Sequence, residues 1–494
     1  MPLNSVHDAA VREPAAALES VDPQTGEMYT LLSVLMPVYN EVRTLRAIVS
    51  RVLNSPVPLS IELVCVDDAS TDGSGRLLDE LAAEDSRIRV IRQPVNKGKG
   101  AAVREAIRHM RGDVVIIQDA DLEYDPADYP KLLGPILEGR ADAVFGSRFA
   151  LTSQRRVLLY WHGVANRLLT WIFNILNDVN LTDMETCYKA VRADVLRQTP
   201  LKSDRFGIEP ELSTRLAQWN VRMYEVPVSY HGRTVAEGKK IGWRDAFAAV
   251  WAILRFRFLD TRFTTHDGFY ILQSVRKARG FNRWMLAQFS SYIGKRVLEA
   301  GCGIGNFTEL LLDRERLVCV DSDILYVQMI GWRFGHLANL RVMRADLTDP
   351  ALGEQLSDER LDTVICLNVL EHISADREAL ARYWELLAPQ GRVIVLVPAH
   401  AALYSACDRV LGHERRYEPA ELRSKLEEAG FDVEMLREFN RFGTVGWWVN
   451  KQRQRTDLSP REMRLFELLL PIAKLIERFP LLPGLSVIAV GRKR

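Results

Sequence analysis

Short apolar runs alternate with longer amphipathic stretches over the first third of the chain. Between residues 31 and 148, runs rich in β-branched residues are separated by helical patterns; the runs are LLSVLMPV, IELVCVDD, IRVIRQ, DVVIIQDADL and ADAVFGSRF. This alternation is typical of a parallel sheet with helices packed on it. After Phe149 the pattern becomes mostly helical and aromatic, and it continues to about Arg262.

A second alternation begins near residue 282, with the runs KRVLEAGCG, RLVCVDSD, LRVMRAD, LDTVICLNV and GRVIVLVPA. The chain then closes with an amphipathic helix, Arg461–Arg478, and the strand-like run LSVIAVG. The two series share no motif, so they are not a duplication. The sequence predicts an α/β fold in both halves. The predicted divisions are a flexible tail (1–30), a first domain (31–262), a linker (263–282) and a second domain (283–494).

The charge balance and the cysteines limit which partners and which cellular compartment the sequence suggests. Among 494 residues, 65 Lys and Arg face 64 Asp and Glu, which excludes the basic surface that binds nucleic acid. The six cysteines are scattered without a CxxC pair, and this favours a reducing cytoplasm. The first thirty residues lack both the basic start and the apolar stretch of a secretory signal.

Two segments approach a membrane helix in character, Val157–Asn177 and Asp245–Leu259. Neither contains the run of about twenty apolar residues that a spanning helix needs. Two interpretations stay open: helices buried against their own domain, or helices lying in the membrane interface. The second would make the protein peripheral on the inner face of the membrane.

An acidic loop follows the fourth apolar run. Asp119 and Asp121 come directly after the predicted strand, and Glu123 is a third acid. Carboxylates so close together at a strand end can hold a hard divalent cation, and Mg²⁺ or Mn²⁺ suits them. A DxD pair alone also occurs as a solvated acidic turn, so the surrounding motifs decide between the two.

Five segments in order resemble the family 2 glycosyltransferases, which have the GT-A fold: VLMPVYNE, LVCVDDASTDGS, NKGKGAAVREAI, DADLEYDP and GSRF. The resemblance covers about Leu31–Arg262. It implies a GDP- or UDP-sugar donor and a metal held by Asp119, Asp121 and Glu123. It also places four residues around the base and ribose of the nucleotide, namely Pro37, Tyr39, Glu41 and Asp68.

A closer likeness, to dolichyl- or polyprenyl-phosphate sugar synthases, rests on GSRF, TDMETCYKAVRADVL and EVPVSYHGRTVAEGKKIGW. It implies a lipid-phosphate acceptor, which is already anionic and needs cationic side chains rather than a strong base. The candidate cations are Arg148, Arg155 or Arg156, and Arg233. Lys99 either reaches a phosphate or is solvated. Asp183 and Glu209 are acids that a hydroxyl acceptor would need as a base, so a glycan acceptor stays open.

A glycine-rich turn opens the second half. Gly301, Gly303 and Gly305 follow a strand, Glu299 precedes them, and Asp321 ends the next strand eighteen residues past Gly303. A carboxylate there can accept the ribose hydroxyls of an adenosine cofactor. With Asp346 and the segments NVLEHI and GRVIVLVPAH, this half resembles class I S-adenosylmethionine methyltransferases; Asp346 would then lie near the adenine. An NAD-binding domain is the alternative, but it has no reason to share NVLEHI.

The acceptor side of the second half is predicted at Asn368 and His372, with Glu371 between them. His372 either deprotonates a sugar hydroxyl or packs structurally. The later GHERRYEPAEL either recognises an anionic acceptor or shapes a loop. The sequence as a whole therefore predicts a bifunctional enzyme that transfers a sugar and methylates a sugar or related acceptor. The alternative is that one half only binds or scaffolds.

Overall fold

The computed structural model describes residues 28–150, 160–232, 243–260, 267–454, 460–479 and 482–494. The chain divides into two units, Met1–Leu259 and Asp260–Arg494. Each unit contains one mixed sheet with helices, so the predicted α/β fold class is confirmed for both.

The first sheet consists, among the described residues, of the strands β1 (Leu31–Val38), β2 (Ser60–Asp67), β3 (Ile88–Arg92), β4 (Val114–Ile117), β5 (Ala143–Ser147), β6 (Lys189–Arg192) and β7 (Met223–Pro227). Their order is β3-β2-β1-β4-β6-β5-β7. The strands β3, β2, β1 and β4 are parallel, whereas β6 is antiparallel to both of its neighbours. Nearly every residue of β1 and β2 is buried, as expected when both faces of a sheet are covered.

The helices of this unit are α1 (Val42–Leu53), α2 (Ser74–Glu84), α3 (Lys99–His109), α4 (Tyr129–Leu137), α5 (Tyr160–Asn177), α6 (Ala193–Gln198), α7 (Ile208–Trp219) and α8 (Trp243–Leu254). A π-helical turn, Arg255–Leu259, follows α8. In α1 the buried apolar residues recur every three or four positions, which explains why this helix packs on the sheet: Leu45, Ile48, Val49 and Val52.

The second sheet consists, in the described part of the chain, of β8 (Arg296–Ala300), β9 (Arg316–Asp321), β10 (Leu340–Arg344), β11 (Leu361–Leu367), β12 (Leu387–Pro398), β13 (Phe431–Phe439) and β14 (Ser486–Lys493). Their order is β10-β9-β8-β11-β12-β14-β13. The first five in that order are parallel, and β14 pairs antiparallel with β12 and β13. The run LSVIAVG therefore completes the sheet, as predicted.

The helices of the second unit are α9 (Asp267–Arg276), α10 (Arg279–Leu286), α11 (Thr308–Leu311), α12 (Ile324–Phe334), α13 (Ala351–Gln355), α14 (Asp376–Leu386), α15 (Ala406–Leu411), α16 (Pro419–Glu428), α17 (Arg441–Gln452), α18 (Pro460–Leu468) and α19 (Leu470–Ile476). The stretch assigned to the linker contains α9 and the start of α10. Phe281 and Trp284 of α10 belong to the core of this unit. Within the described ranges, no helix is both long and apolar enough to cross a membrane.

Candidate active sites

The loops that carry the first set of candidate residues meet along one edge of the first sheet. Because β2, β1 and β4 are neighbouring parallel strands, their carboxyl ends lie side by side. The residues predicted to contact the nucleotide lie at or just beyond these ends: Pro37, Tyr39, Glu41 and Asp68. The Thr44 hydroxyl donates to the Ala120 carbonyl at 2.9 Å and so ties the start of α1 to the acidic loop.

The Asp68 carboxylate holds in place the loop that contains Lys97 and Gly98. Its buried carboxylate accepts the backbone N–H of Lys97 at 2.8 Å and that of Gly98 at 2.7 Å. Two backbone donors fix this loop immediately before α3. The side chain of Lys97 itself is exposed, whereas Lys99 begins α3 and turns inward.

Lys99 joins two other predicted site residues. Its Nζ lies 2.7 Å from Asp119 Oδ1 and 2.7 Å from Glu209 Oε1. Burial disfavours the ammonium form of Lys99 and so lowers its pKa. The two carboxylates, and Asp119 more than Glu209, outweigh this effect and hold the pKa of Lys99 well above its usual value. A small pocket beside this bridge is also lined by Cys187 and Lys189, which the sequence did not single out.

The acidic loop that follows β4 carries the three predicted metal ligands. The N–H of Glu123 donates to Asp121 Oδ1 at 3.0 Å, and Glu123 Oε2 accepts the Tyr230 hydroxyl at 2.8 Å. The donor set contains only carboxylate oxygens, which fits Mg²⁺ or Mn²⁺ and disfavours a soft metal. Tyr230 comes from a distant segment and was not singled out as a site residue from the sequence.

Arg148 and Asp183 form a two-pronged ion pair. Arg148 Nε lies 2.7 Å and Nη2 2.8 Å from the two oxygens of Asp183, which also accept the backbone N–H of Arg148 at 3.0 Å. Asn166 Nδ2 donates to Asp183 at 3.1 Å. Asp183 is fully buried in this network, an arrangement that orients the arginine rather than one that exposes a base. The other predicted cations, Arg155, Arg156 and Arg233, lie outside the described residues.

The glycine-rich turn of the second unit has a backbone that favours glycine. Gly301, Gly303 and Gly305 have φ angles of 76°, 50° and 82°. A side chain at Gly301 would collide with Val369, and one at Gly303 would approach Leu272 of α9 to 3.2 Å. Glycine at these two positions therefore leaves room for the side chains that pack against the turn between β8 and α11.

Asp321 and Asp346 end neighbouring parallel strands at the same edge as the glycine turn. Asp321 accepts the N–H of Gly303 at 2.8 Å and that of Asp323 at 3.0 Å. Burial nevertheless raises the pKa of Asp321. Asp346 accepts the N–H and the hydroxyl of Thr348 at 2.9 and 2.7 Å, and these bonds lower the pKa of Asp346.

Glu299 lies inside β8 and is shielded from water. Its Oε2 accepts the Thr308 hydroxyl at 2.6 Å. Burial raises the pKa of Glu299 to about 7, despite this hydrogen bond. Glu299 therefore changes charge near neutral pH.

Asn368 and His372 follow β11, next to the glycine turn, and both reach the surface. Partial enclosure of the ring, with His413 nearby, lowers the pKa of His372 to about 4, so this imidazole is neutral at pH 7.

In the GHERRY segment, Arg416 bonds to Asp408 at 2.9 Å and Arg415 to Asp376 at 3.0 Å. These contacts favour the loop-shaping interpretation of that segment.

The comparisons with known proteins match a different family in each half of the chain. Residues 33–198 match the family model described as glycosyl transferase family 2, and residues 276–436 match one described as a methyltransferase domain. The chain is 33% identical to the undecaprenyl-phosphate mannosyltransferase of Micrococcus luteus, over 45% of this chain and 97% of that protein. It is 37% identical to the dolichol-phosphate mannosyltransferase of Pyrococcus furiosus, over 43% of this chain and 59% of that one.

A solved structure, a SAM dependent methyltransferase from Archaeoglobus fulgidus, aligns with 46% of this chain and all of its own, at 20% identity and a TM-score of 0.32. The Micrococcus relative is matched along nearly its whole length, whereas the Pyrococcus relative extends well beyond the matched part. The chain belongs to glycosyl transferase family 2 through its first half, where the fold is of the GT-A type, and it carries a methyltransferase domain in its second half.

Proposed function

We propose that the first half transfers a sugar from a GDP- or UDP-sugar to a polyprenyl phosphate. The observation that carries this is the acidic loop Asp119–Glu123, held by Lys99 at the same sheet edge as Tyr39 and Asp68. The names of the Micrococcus and Pyrococcus relatives, which specify undecaprenyl and dolichol phosphates, support the acceptor class. A glycan hydroxyl is the second candidate acceptor, because Glu209 lines the pocket beside Lys99.

The charges of the acidic loop Asp119–Glu123 suit the binding of the nucleotide-sugar donor. Asp119, Asp121 and Glu123 would hold Mg²⁺ or Mn²⁺, which when bound neutralises the charge that grows on the departing nucleoside diphosphate. Lys99 stays protonated and fixes the orientation of Asp119. Asp68 keeps the loop before Lys99 in place through two backbone hydrogen bonds.

The acceptor side needs a fixed cation rather than a base. A lipid phosphate is already a nucleophilic anion, so positioning contributes most to the rate. Asp183 holds the Arg148 guanidinium along two edges. Burial opposes the charge on Arg148, but Asp183 outweighs it and holds the pKa of Arg148 well above its usual value.

The same proposal includes peripheral contact with the inner face of the membrane. In α5 the exposed side chains of Trp161, Leu168, Trp171 and Ile175 recur at helical spacing. Phe247 and Trp251 of α8 are exposed in the same way, and α5 packs against α8. Trp161 is 76% and Phe247 70% exposed, unusual for aromatic side chains that meet only water.

For the second half we propose methyl transfer from S-adenosylmethionine to a sugar or related acceptor. Gly301, Gly303 and Gly305 would give the turn the backbone conformation that a bound cofactor needs, Asp321 and Asp346 would accept its ribose and adenine donors, and Glu299 precedes the turn in β8. When bound, the cofactor supplies an activated methyl group, and the protein aligns the acceptor and excludes water. That both halves act on one product rests on their fusion in one chain.

Sugar transfer is predicted to depend on a divalent metal and on Asp121. Asp121→Asn should lower the rate by about 100-fold or more, because the charge that holds the metal is weakened. Asp125→Asn is the matched control, since Asp125 caps a turn through the Ala127 N–H at 3.0 Å, a role that asparagine fulfils equally. Release of nucleoside diphosphate is the measurement. Full sugar-transfer activity after exhaustive chelation would contradict the assignment of a metal to this loop.

Membrane contact is predicted to depend on the aromatic face of α5 and α8. Trp171→Glu combined with Trp251→Glu should abolish flotation with anionic liposomes at low salt, because each large side chain contributes about 2 kcal/mol when it leaves water. Val95→Glu is the control, since Val95 is an exposed apolar residue of a loop in the same unit. If the unmodified protein stays wholly in the soluble fraction, the proposed contact is wrong.

Glu299→Gln is predicted to change how stability depends on pH. The pKa of Glu299 is raised from 4.5 to about 7 on folding, so the wild type loses stability as pH rises through that interval. Relative to Glu299→Gln, the loss between pH 5 and pH 7.5 should be about 2 kcal/mol. Urea unfolding at pH 5 and pH 7.5 measures it, with the exposed Glu315→Gln as control. Identical pH dependence in wild type and Glu299→Gln would contradict the buried-acid assignment.

A further inference from the structure

Glu371 is a buried acid whose charge is not compensated by hydrogen bonds. Its side chain is 0% exposed, and in the described part of the chain neither carboxylate oxygen has a hydrogen-bond partner. The Arg416 guanidinium bonds instead to Asp408 and to the Ala399 carbonyl. A buried carboxylate is costly unless a cation or a proton compensates it.

Two histidines adjoin this carboxylate. One ligand atom each from Glu371, His372 and His413 lie within 4.8 Å of one another. His413 Nε2 is 3.9 Å from Glu371 Oε1, which is too far for a hydrogen bond. The other ring nitrogen of His413, Nδ1, lies 2.9 Å from Asp408 Oδ1. A carboxylate that holds the second nitrogen of an imidazole is the usual outer partner of a metal-binding histidine.

The fold brings the three side chains together from two segments. Glu371 and His372 lie in the short turn Leu370–His372 after β11, and the Glu371 carbonyl accepts the Glu414 N–H at 2.9 Å. That bond docks the segment carrying His413 against the turn. Val369, which directly precedes the turn, lies against Gly301, so the cluster is beside the glycine loop.

We infer that Glu371, His372 and His413 bind a divalent transition-metal ion such as Zn²⁺ and leave one coordination position for an oxygen of the methyl acceptor. Two imidazoles with one carboxylate are a ligand set of open, catalytic metal sites. Metal–ligand distances of about 2.1 Å put tetrahedral ligand atoms roughly 3.4 Å apart, so the three need to move by about 1 Å or less. The role given to the open coordination position rests on the proposed methyl transfer, whereas the metal site itself does not.

The test is Zn²⁺ binding to the full chain carrying Asp121→Asn, so that the acidic loop of the first unit contributes little. Calorimetry should show one Zn²⁺ bound, with affinity at least about 100-fold weaker after Glu371→Gln or His413→Gln, beyond the usual effect of losing an outer partner. Zn²⁺ should also raise the melting temperature of the parent but not that of the Glu371→Gln variant.

His400→Gln is the matched control. His400 also faces two carboxylates, Glu418 at 3.1 Å and Glu438 at 2.9 Å, and its loss should leave Zn²⁺ binding unchanged. S-adenosylmethionine binding, measured in parallel, reports whether each variant is folded. A parent that binds Zn²⁺ but no S-adenosylmethionine would refute the proposed methyl transfer and leave the metal site standing. Equal Zn²⁺ affinity in the parent and the Glu371→Gln variant would overturn the inference.

Discussion

Parallel strand pairing decides where the chemistry of this protein lies. In both sheets neighbouring strands point the same way, so the residues that follow them collect at one edge. In the first unit this edge carries the acidic loop and Asp68; in the second it carries the glycine turn, Asp321 and the turn with Glu371. Antiparallel β6 and β14 extend the sheets without moving those edges.

Charge compensation is the second constraint, and each site meets it locally. Lys99 pairs with both Asp119 and Glu209, and Arg148 pairs with the buried Asp183. Asp321 instead receives backbone N–H groups. Glu371 departs from this rule among the described residues, since no hydrogen bond reaches its carboxylate. A bound cation would restore the balance there, which is why this carboxylate, rather than the better-paired ones, points to a further ligand.

The sequence predicted what depends on local pattern: the strand rhythm, the acidic loop and the glycine turn. Contacts that depend on distant segments were beyond it. The bridge from Lys99 to Glu209 joins residues more than a hundred positions apart, and the Tyr230 bond to Glu123 is nearly as long-range. The helices in the stretch assigned to the linker were missed because their polar, basic surface hides a few core residues such as Phe281. The docking of His413 beside Glu371 needed the folded chain.

The central claim is that one chain transfers a sugar to a lipid phosphate through its first half and carries a methyl-transfer site in its second half. Mass spectrometry tests this most directly, after the purified protein is incubated with polyprenyl phosphate, a water-soluble glycan, a panel of GDP- and UDP-sugars, Mn²⁺ and S-adenosylmethionine with a deuterated methyl group. The account predicts a lipid phosphate heavier by one glycosyl unit with at least one donor, and a deuterated methyl group on a sugar-containing product. Intact lipid phosphate with every donor, while a water-soluble glycan in the same mixture gains the sugar, would contradict it.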